Sequence, residues 1–230
     1  MASTPPQIAP PTPRRAKVRP RSGWLAITGL LLLSVLPVIG GAVRLVETGE
    51  NGENGMLDYS PVPRIAHVVG MSVFCLVGAF QFSPALRGRR MWHRAAGRVL
   101  IPAGFIAALS GVWFGASFSG PAHEFATAMV RLVFAVAMTG LLMLGVIAIR
   151  RRNFAAHGAW LTRAYAIAVT GGTQALVFLL WSIIAGEEVD TFGEPFLVAA
   201  GFVVNSVVAE VIIVRRAHAS RAREPRALVS

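Results

Sequence analysis

The chain has 230 residues, of which 54% are hydrophobic and 14% are charged, and its formal net charge is +11. A soluble domain carries roughly 25% charged residues, so this composition excludes an ordinary soluble enzyme. Cys75 is the only cysteine, which excludes an internal disulfide and a cysteine-based metal site. The hydrophobic residues form blocks of about 20, the length that crosses a bilayer as a helix. The sequence therefore predicts a multi-pass helical membrane protein.

The blocks follow one another along almost the whole chain. Segment 1–23 is basic and rich in proline, which predicts a disordered tail. The first block is too long for a signal peptide and no clear small-residue cleavage site follows it, so we expect an uncleaved helix. The succession of hydrophobic blocks predicts an all-α, up-and-down bundle. Its predicted helices span 24–43, 64–86, 97–117, 122–149, 160–185 and 195–214, and a basic tail covers 215–230.

The basic residues predict the orientation of this bundle. Nineteen lysines and arginines fall in the two tails and in segments 87–98 and 150–163, whereas only Arg44 and Arg64 fall in the alternate loops. By the positive-inside rule, both termini face the cytoplasm. The charge is divided among loops, which favours anionic lipid headgroups over nucleic acid as the partner. The arginines expected to contact headgroup phosphates are Arg87, Arg89, Arg90, Arg94, Arg98 and Arg163.

Polar residues at membrane depth are candidates for function because they are costly to place there. We expect Arg131 to extend its side chain towards the outer surface. Glu210 lies within reach of Arg163 or Arg98, so an ion pair is its expected role, with a proton relay or a quinone contact as the alternative. The neutral polar residues at this depth are expected to form hydrogen bonds between helices, namely Gln81, Thr127, Thr139, Thr170, Thr173, Gln174 and Asn205.

Four histidines stand near the starts of successive predicted helices. His67 and His123 lie near the outer starts of helices two and four, and His93 and His157 near the inner starts of helices three and five. Alternate helices of an up-and-down bundle face each other diagonally. The histidines would then form one pair in each leaflet, and paired imidazoles can hold a six-coordinate haem b. Histidines at membrane interfaces also serve packing or lipid contact, and the chain has no covalent haem-attachment motif.

Three stretches of sequence carry a family resemblance: HVVG with GAFQFS, WHRAAGR with RRRNFAAHGAWLTRAY, and NSVVAE. They resemble the bacterial membrane family called domain of unknown function 2306, from Pro63 to Glu210. The resemblance implies a multi-pass protein of the bacterial inner membrane and no established activity. Gln174 departs from the family pattern, which has an arginine there, and His123 has no counterpart. The positions that match are His67, Gln81, Phe82, Arg87, His93, Arg94, Gly97, Arg98, His157, Trp160, Arg163, Tyr165, Asn205 and Glu210.

The layout of six helices with histidines on helices two to five also resembles, more distantly, the two-haem cytochromes of the b-561 kind. This likeness is one of fold and does not by itself imply function.

Three functions remain open from the sequence. The first is a haem-bearing electron-transfer protein or subunit, with a quinone or another redox partner. The second is a non-catalytic scaffold that binds anionic lipid or a partner protein through its arginine-rich loops. The third is a small transporter with Arg131 and Glu210 along its path, although the chain shows no clear internal repeat. An enzyme with a soluble active site is not expected, because no loop is long enough to build one.

Overall fold

The computed structural model describes residues 23–50, 61–83, 86 and 89–221. The predictions for the two tails beyond this range and for Arg87 lie outside the described residues, as does the side chain of Arg90. All regular secondary structure in the described ranges is helical. The helices are α1 (Trp24–Glu50), α2 (Pro61–Gln81), α3 (Arg90–Ala116), a 3-10 turn (Ala122–Glu124), α4 (Phe125–Arg150), α5 (Phe154–Ala168), α6 (Thr170–Ala185) and α7 (Glu194–Arg221).

The described helices have the length and composition of membrane spans. Five of them, α1, α2, α3, α4 and α7, are long and apolar enough to cross a membrane alone. Helices α5 and α6 pass the same test together, as one span bent by 41°. The all-α class and the multi-pass membrane helices predicted from the sequence are therefore confirmed, whereas the cytoplasmic location of the termini stays a prediction.

Several helices extend further than their apolar blocks. Helix α3 begins at Arg90 instead of near Gly97, so most of the predicted basic loop forms its first two turns. Helix α7 continues past Val214 to Arg221. Arginine and alanine are good helix formers, and arginine side chains can lie along a helix with the charged group in water. Hydropathy identifies only the part of a helix that lies inside the membrane. These helices continue beyond that part, so the predicted bounds are too short.

The sequence predicted one helix over 160–185, whereas the structure has two helices that meet at Val169. Gly171 and Gly172 follow the break and pack against α1. A Cβ atom on Gly172 would lie 1.7 Å from the carbonyl oxygen of Leu33, so only glycine admits this approach. Kinks in helices commonly occur at such small residues. The bend therefore lies where α6 packs closely against α1.

A cluster of polar side chains satisfies the backbone at the bend. The Thr170 hydroxyl donates to the carbonyl oxygen of Ala166 at 3.0 Å, and Asn205 Nδ2 on α7 donates to the same oxygen at 3.1 Å. Thr173 Oγ1 donates in turn to Asn205 Oδ1 at 2.9 Å. Backbone groups released at membrane depth need such partners, because no water replaces them. Asn205 thus joins α7 to α5 and α6 by hydrogen bonds.

Four helices form a ring. Helix α2 packs on α3, α3 packs on α4, and α4 packs on α5. Helix α5 packs in turn on α2, which closes the ring. Within the described residues, no Cα atoms of α3 and α5 come within 8 Å of each other, so these two helices face each other across the ring. Helix α1 packs outside, against α2 and α6, and α7 covers α4, α5 and α6.

Tyr165 on α5 fills the middle of this ring. Its hydroxyl donates to the carbonyl oxygen of Cys75 on α2 at 2.7 Å. Its ring centroid lies 5.9 Å from that of Phe74 and 4.8 Å from that of Phe82. Gly78 makes room for the ring, because a Cβ atom there would lie 2.6 Å from it. The closure of the ring between α5 and α2 therefore depends on one buried aromatic side chain.

Candidate functional site

One end of the ring, here called the basic end, carries most of the described arginines. Helices α3 and α5 begin at this end, and α2 and α4 end there. Helix α7 reaches the same end, because the Arg216 guanidinium lies over the Phe82 ring at 5.9 Å. The exposed arginines of the basic end are Arg89, Arg94, Arg98, Arg150, Arg151, Arg152, Arg215, Arg216 and Arg221.

His93 and His157 both stand at the basic end, each as the fourth residue of its helix. His93 Nδ1 donates to the side-chain oxygen Oε1 of Gln81, and His157 Nδ1 donates to the carbonyl oxygen of Gly145 on α4 at 2.8 Å. An amide oxygen only accepts, so each Nδ1 carries a proton, and the neutral form that keeps this proton is the Nδ1-protonated tautomer. In this tautomer an imidazole ligates a metal through Nε2.

The Gln81 side chain has a further polar atom beside His93. Its Nε2 is buried and has no hydrogen-bond partner among the described residues. A buried donor without a partner costs about 1–3 kcal/mol. The hydrogen bond predicted for Gln81 between helices does form, through Oε1 to His93.

His67 lies in the half of the ring away from the basic end, at the interface of α2 and α3. Its Nδ1 lies 3.0 Å from the carbonyl oxygen of Ala107 and 3.0 Å from Ser110 Oγ. The ring makes an edge contact with Phe114, with centroids 5.4 Å apart. His67 therefore adopts the same Nδ1-protonated tautomer as the two histidines of the basic end.

His123 differs from the other three. It lies in the 3-10 turn before α4, its side chain is 59% exposed, and its Nε2 is 3.8 Å from Glu124. An imidazole this exposed is not enclosed by the ring. Across the described ranges, no group of three or more His, Cys, Asp or Glu side chains is arranged to hold a metal ion.

The expected ion pair of Glu210 forms with Arg163, between α7 and α5. Arg163 Nη2 donates to Glu210 Oε2 at 2.8 Å, and Nε donates to Oε1. Such two-point pairing fixes geometry as well as charge. The guanidinium also lies over the Trp160 ring, 4.7 Å from its centroid.

Arg131 belongs to a separate pair at the opposite end. Its Nη2 lies 3.4 Å from Glu194 Oε1, and its side chain is 52% exposed. The structure therefore does not bring Arg131 and Glu210 together as two residues of one transport path. Gln174, by contrast, makes the expected interhelical hydrogen bond, because its Nε2 donates to the carbonyl oxygen of Val198 at 3.0 Å.

Some partners of the histidines, namely Ser110 and the backbone carbonyls of Ala107 and Gly145, were not predicted from the sequence. Ser110 accepts from His67, and the only signal for it is a lone hydroxyl within an apolar run. Gly145 accepts from His157 through its backbone, so no side chain marks the contact. Gly145 also lies where α4 and α5 approach closely, since a Cβ atom there would lie 2.7 Å from Leu161.

The donor chemistry of the basic end fits a haem with two histidine ligands. His93 and His157 lie on opposite helices of the ring, and each Nδ1 donates to a fixed oxygen. His93 also adjoins the buried Gln81 Nε2, which has no hydrogen-bond partner among the described residues. Tyr165 fills the middle of the ring. It follows His157 on α5 by about 12 Å, at a rise of about 1.5 Å per residue. A haem held by these histidines would therefore lie towards the basic end, away from Tyr165.

These helices and their buried polar groups define the class of the molecule, a multi-pass α-helical membrane protein. The family model described as a predicted membrane protein (DUF2306) matches residues 64–213, and the chain belongs to this family. The resemblance to domain of unknown function 2306 is thereby confirmed. No curated protein and no solved structure shows significant similarity to the chain. None of these comparisons supports the more distant resemblance to cytochromes of the b-561 kind.

Proposed function

We propose that this protein binds one b-type haem at its basic end and transfers electrons, with His93 and His157 as the two axial ligands. One observation carries the proposal. The two histidines occupy the same position in α3 and α5, on opposite sides of the ring, and each Nδ1 donates to a fixed oxygen. Hydrogen bonds of this kind orient metal-ligating histidines and increase their basicity.

The residues around the histidines have separate roles in this proposal. Gln81 and the Gly145 carbonyl hold the imidazoles in the tautomer that ligates through Nε2. The exposed arginines, among them Arg94 and Arg98, supply positive charge for the propionate carboxylates of the haem. When bound, the haem would supply one-electron transfer. A membrane quinone or a soluble redox protein would be the partner.

The proposal covers the basic end only. The outer pair, His67 and His123, stays a prediction from the sequence, because the exposed side chain of His123 is not enclosed with His67. One haem bound at one end is therefore the expected stoichiometry.

An absorbance spectrum tests the proposal. The protein is purified from cells grown with ample haem and measured oxidised and then reduced. We expect a Soret band that shifts on reduction, and we expect His93→Ala and His157→Ala each to lose or shift it, because each removes one of the two axial ligands.

Two exposed histidines provide the matched controls. His123→Ala and His218→Ala should retain the full spectrum, since neither side chain adjoins the proposed ligands. A wild-type protein without a Soret band would end the proposal. So would a full and unshifted band in the His93→Ala and His157→Ala proteins.

A second candidate is the scaffold that binds anionic lipid, and the arginine-rich surface of the basic end favours it. Arg150, Arg151 and Arg152 are exposed together at the end of α4. Basic clusters near the cytoplasmic leaflet attract anionic headgroups by about 1 kcal/mol per residue. This role requires the basic end to face the cytoplasm.

A further inference from the structure

A cavity of about 220 Å³ lies between α4, α5 and α7, beside the Arg163–Glu210 ion pair. Its walls are apolar and include Phe134, Leu141 and Ile167. Its polar part consists of the two paired side chains and Ser206. The cavity therefore combines an apolar interior with hydrogen-bonding groups on one side.

The ion pair leaves hydrogen-bond donors available. A guanidinium has five N–H groups, and the pair with Glu210 uses the Nε–H and one Nη2–H. Within the described residues, the Nη1 group and the second Nη2–H of Arg163 have no acceptor. The pair as a whole is neutral, and the Glu210 carboxylate opposes the entry of an anion.

We infer that the cavity binds a neutral, carbonyl-bearing apolar molecule, and we assign it to the ring of a membrane quinone. The ring would lie against Phe134, Leu141 and Ile167, with one carbonyl oxygen accepting from Arg163. Pockets for drug-sized ligands usually measure about 300–1,000 Å³. The smaller cavity admits a ring and leaves an isoprenoid tail in the bilayer.

The inference goes beyond the proposed function and does not depend on haem binding. If both hold, the quinone would lie close to the proposed electron carrier, because Arg163 follows His157 by about 9 Å along α5 at 1.5 Å per residue. The ester carbonyl of a phospholipid has the same acceptor chemistry, so the experiment includes both ligands.

The full-length protein is purified in detergent and titrated with a short-tailed ubiquinone, and bound quinone is measured by equilibrium dialysis. We expect saturable binding of one quinone per chain. Arg163→Gln should weaken it roughly tenfold. Ala137→Trp, which fills the cavity from α4 and leaves Arg163 and Glu210 unsubstituted, should weaken it at least as much.

The control is Val136→Trp, because Val136 is 54% exposed and does not line the cavity. This protein should bind like wild type, and the wild-type protein should bind quinone whether or not its spectrum shows haem, which separates this inference from the haem proposal. Absence of saturable binding, or equal binding by Ala137→Trp and Val136→Trp, would overturn the inference. Displacement of the quinone by an equal concentration of phosphatidylcholine would overturn it in favour of the lipid ester.

Discussion

Replacing Gly172 with alanine is expected to separate α1 from α6 and to lower the free energy of unfolding by about 1–3 kcal/mol, the usual range for overpacking. The added Cβ atom would lie 1.7 Å from the carbonyl oxygen of Leu33 and 2.7 Å from its carbonyl carbon. Backbone atoms cannot turn aside as a side chain can, so the helices themselves must move. Unfolding in detergent, followed by circular dichroism, measures the loss.

Gly140 provides the matched control for this substitution. It lies within α4, and a Cβ atom there would meet nothing within 4 Å. Alanine is favoured over glycine within a helix by about 1 kcal/mol, so Gly140→Ala should be neutral or slightly stabilising. Equal stability of the Gly172→Ala and Gly140→Ala proteins would show that α1 does not pack on α6 as described.

Replacing Tyr165 with alanine should lower the free energy of unfolding by about 3–5 kcal/mol, as for other large aromatic side chains removed from a core. Tyr165 is 5% exposed and contacts both α2 and the aromatic rings on it. Its loss would leave a cavity where α5 closes the ring. The same unfolding measurement applies.

Tyr165→Phe separates packing from hydrogen bonding at this position. It keeps the ring and removes the hydroxyl that donates to the Cys75 carbonyl, which should cost about 0.5–1.5 kcal/mol. If Tyr165→Ala were no less stable than Tyr165→Phe, the ring of four helices would not depend on this side chain.

Hydropathy and charge predicted the larger features of the fold. Apolar runs of membrane length mark α1, α2, α3, α4 and α7, because the bilayer imposes the same requirement on every span. The arginines also gather at one end of the ring, as their placement in alternate loops predicted. Polar residues such as Asn205 were placed correctly between helices, since a bilayer offers them no other partner.

The bend at Val169 could not be predicted in this way. The residues on both sides of it are apolar, and glycine and threonine are tolerated in membrane helices. The bend arises from the close approach of α1 to Gly172, which depends on a distant part of the chain. The hydrogen bond from His157 to the Gly145 carbonyl could not be predicted either. Every residue has a backbone carbonyl, so the sequence does not show which one accepts the bond.

Cysteine labelling in intact cells tests most directly the central claim that the basic end faces the cytoplasm. Cys75 is the only cysteine and is buried, so Cys75→Ala provides a background for Arg151→Cys at the basic end and Glu188→Cys beyond α6. A maleimide that cannot cross the membrane should label Glu188→Cys in intact cells and Arg151→Cys only after lysis. Labelling of Arg151→Cys in intact cells, with Glu188→Cys protected, would contradict the account.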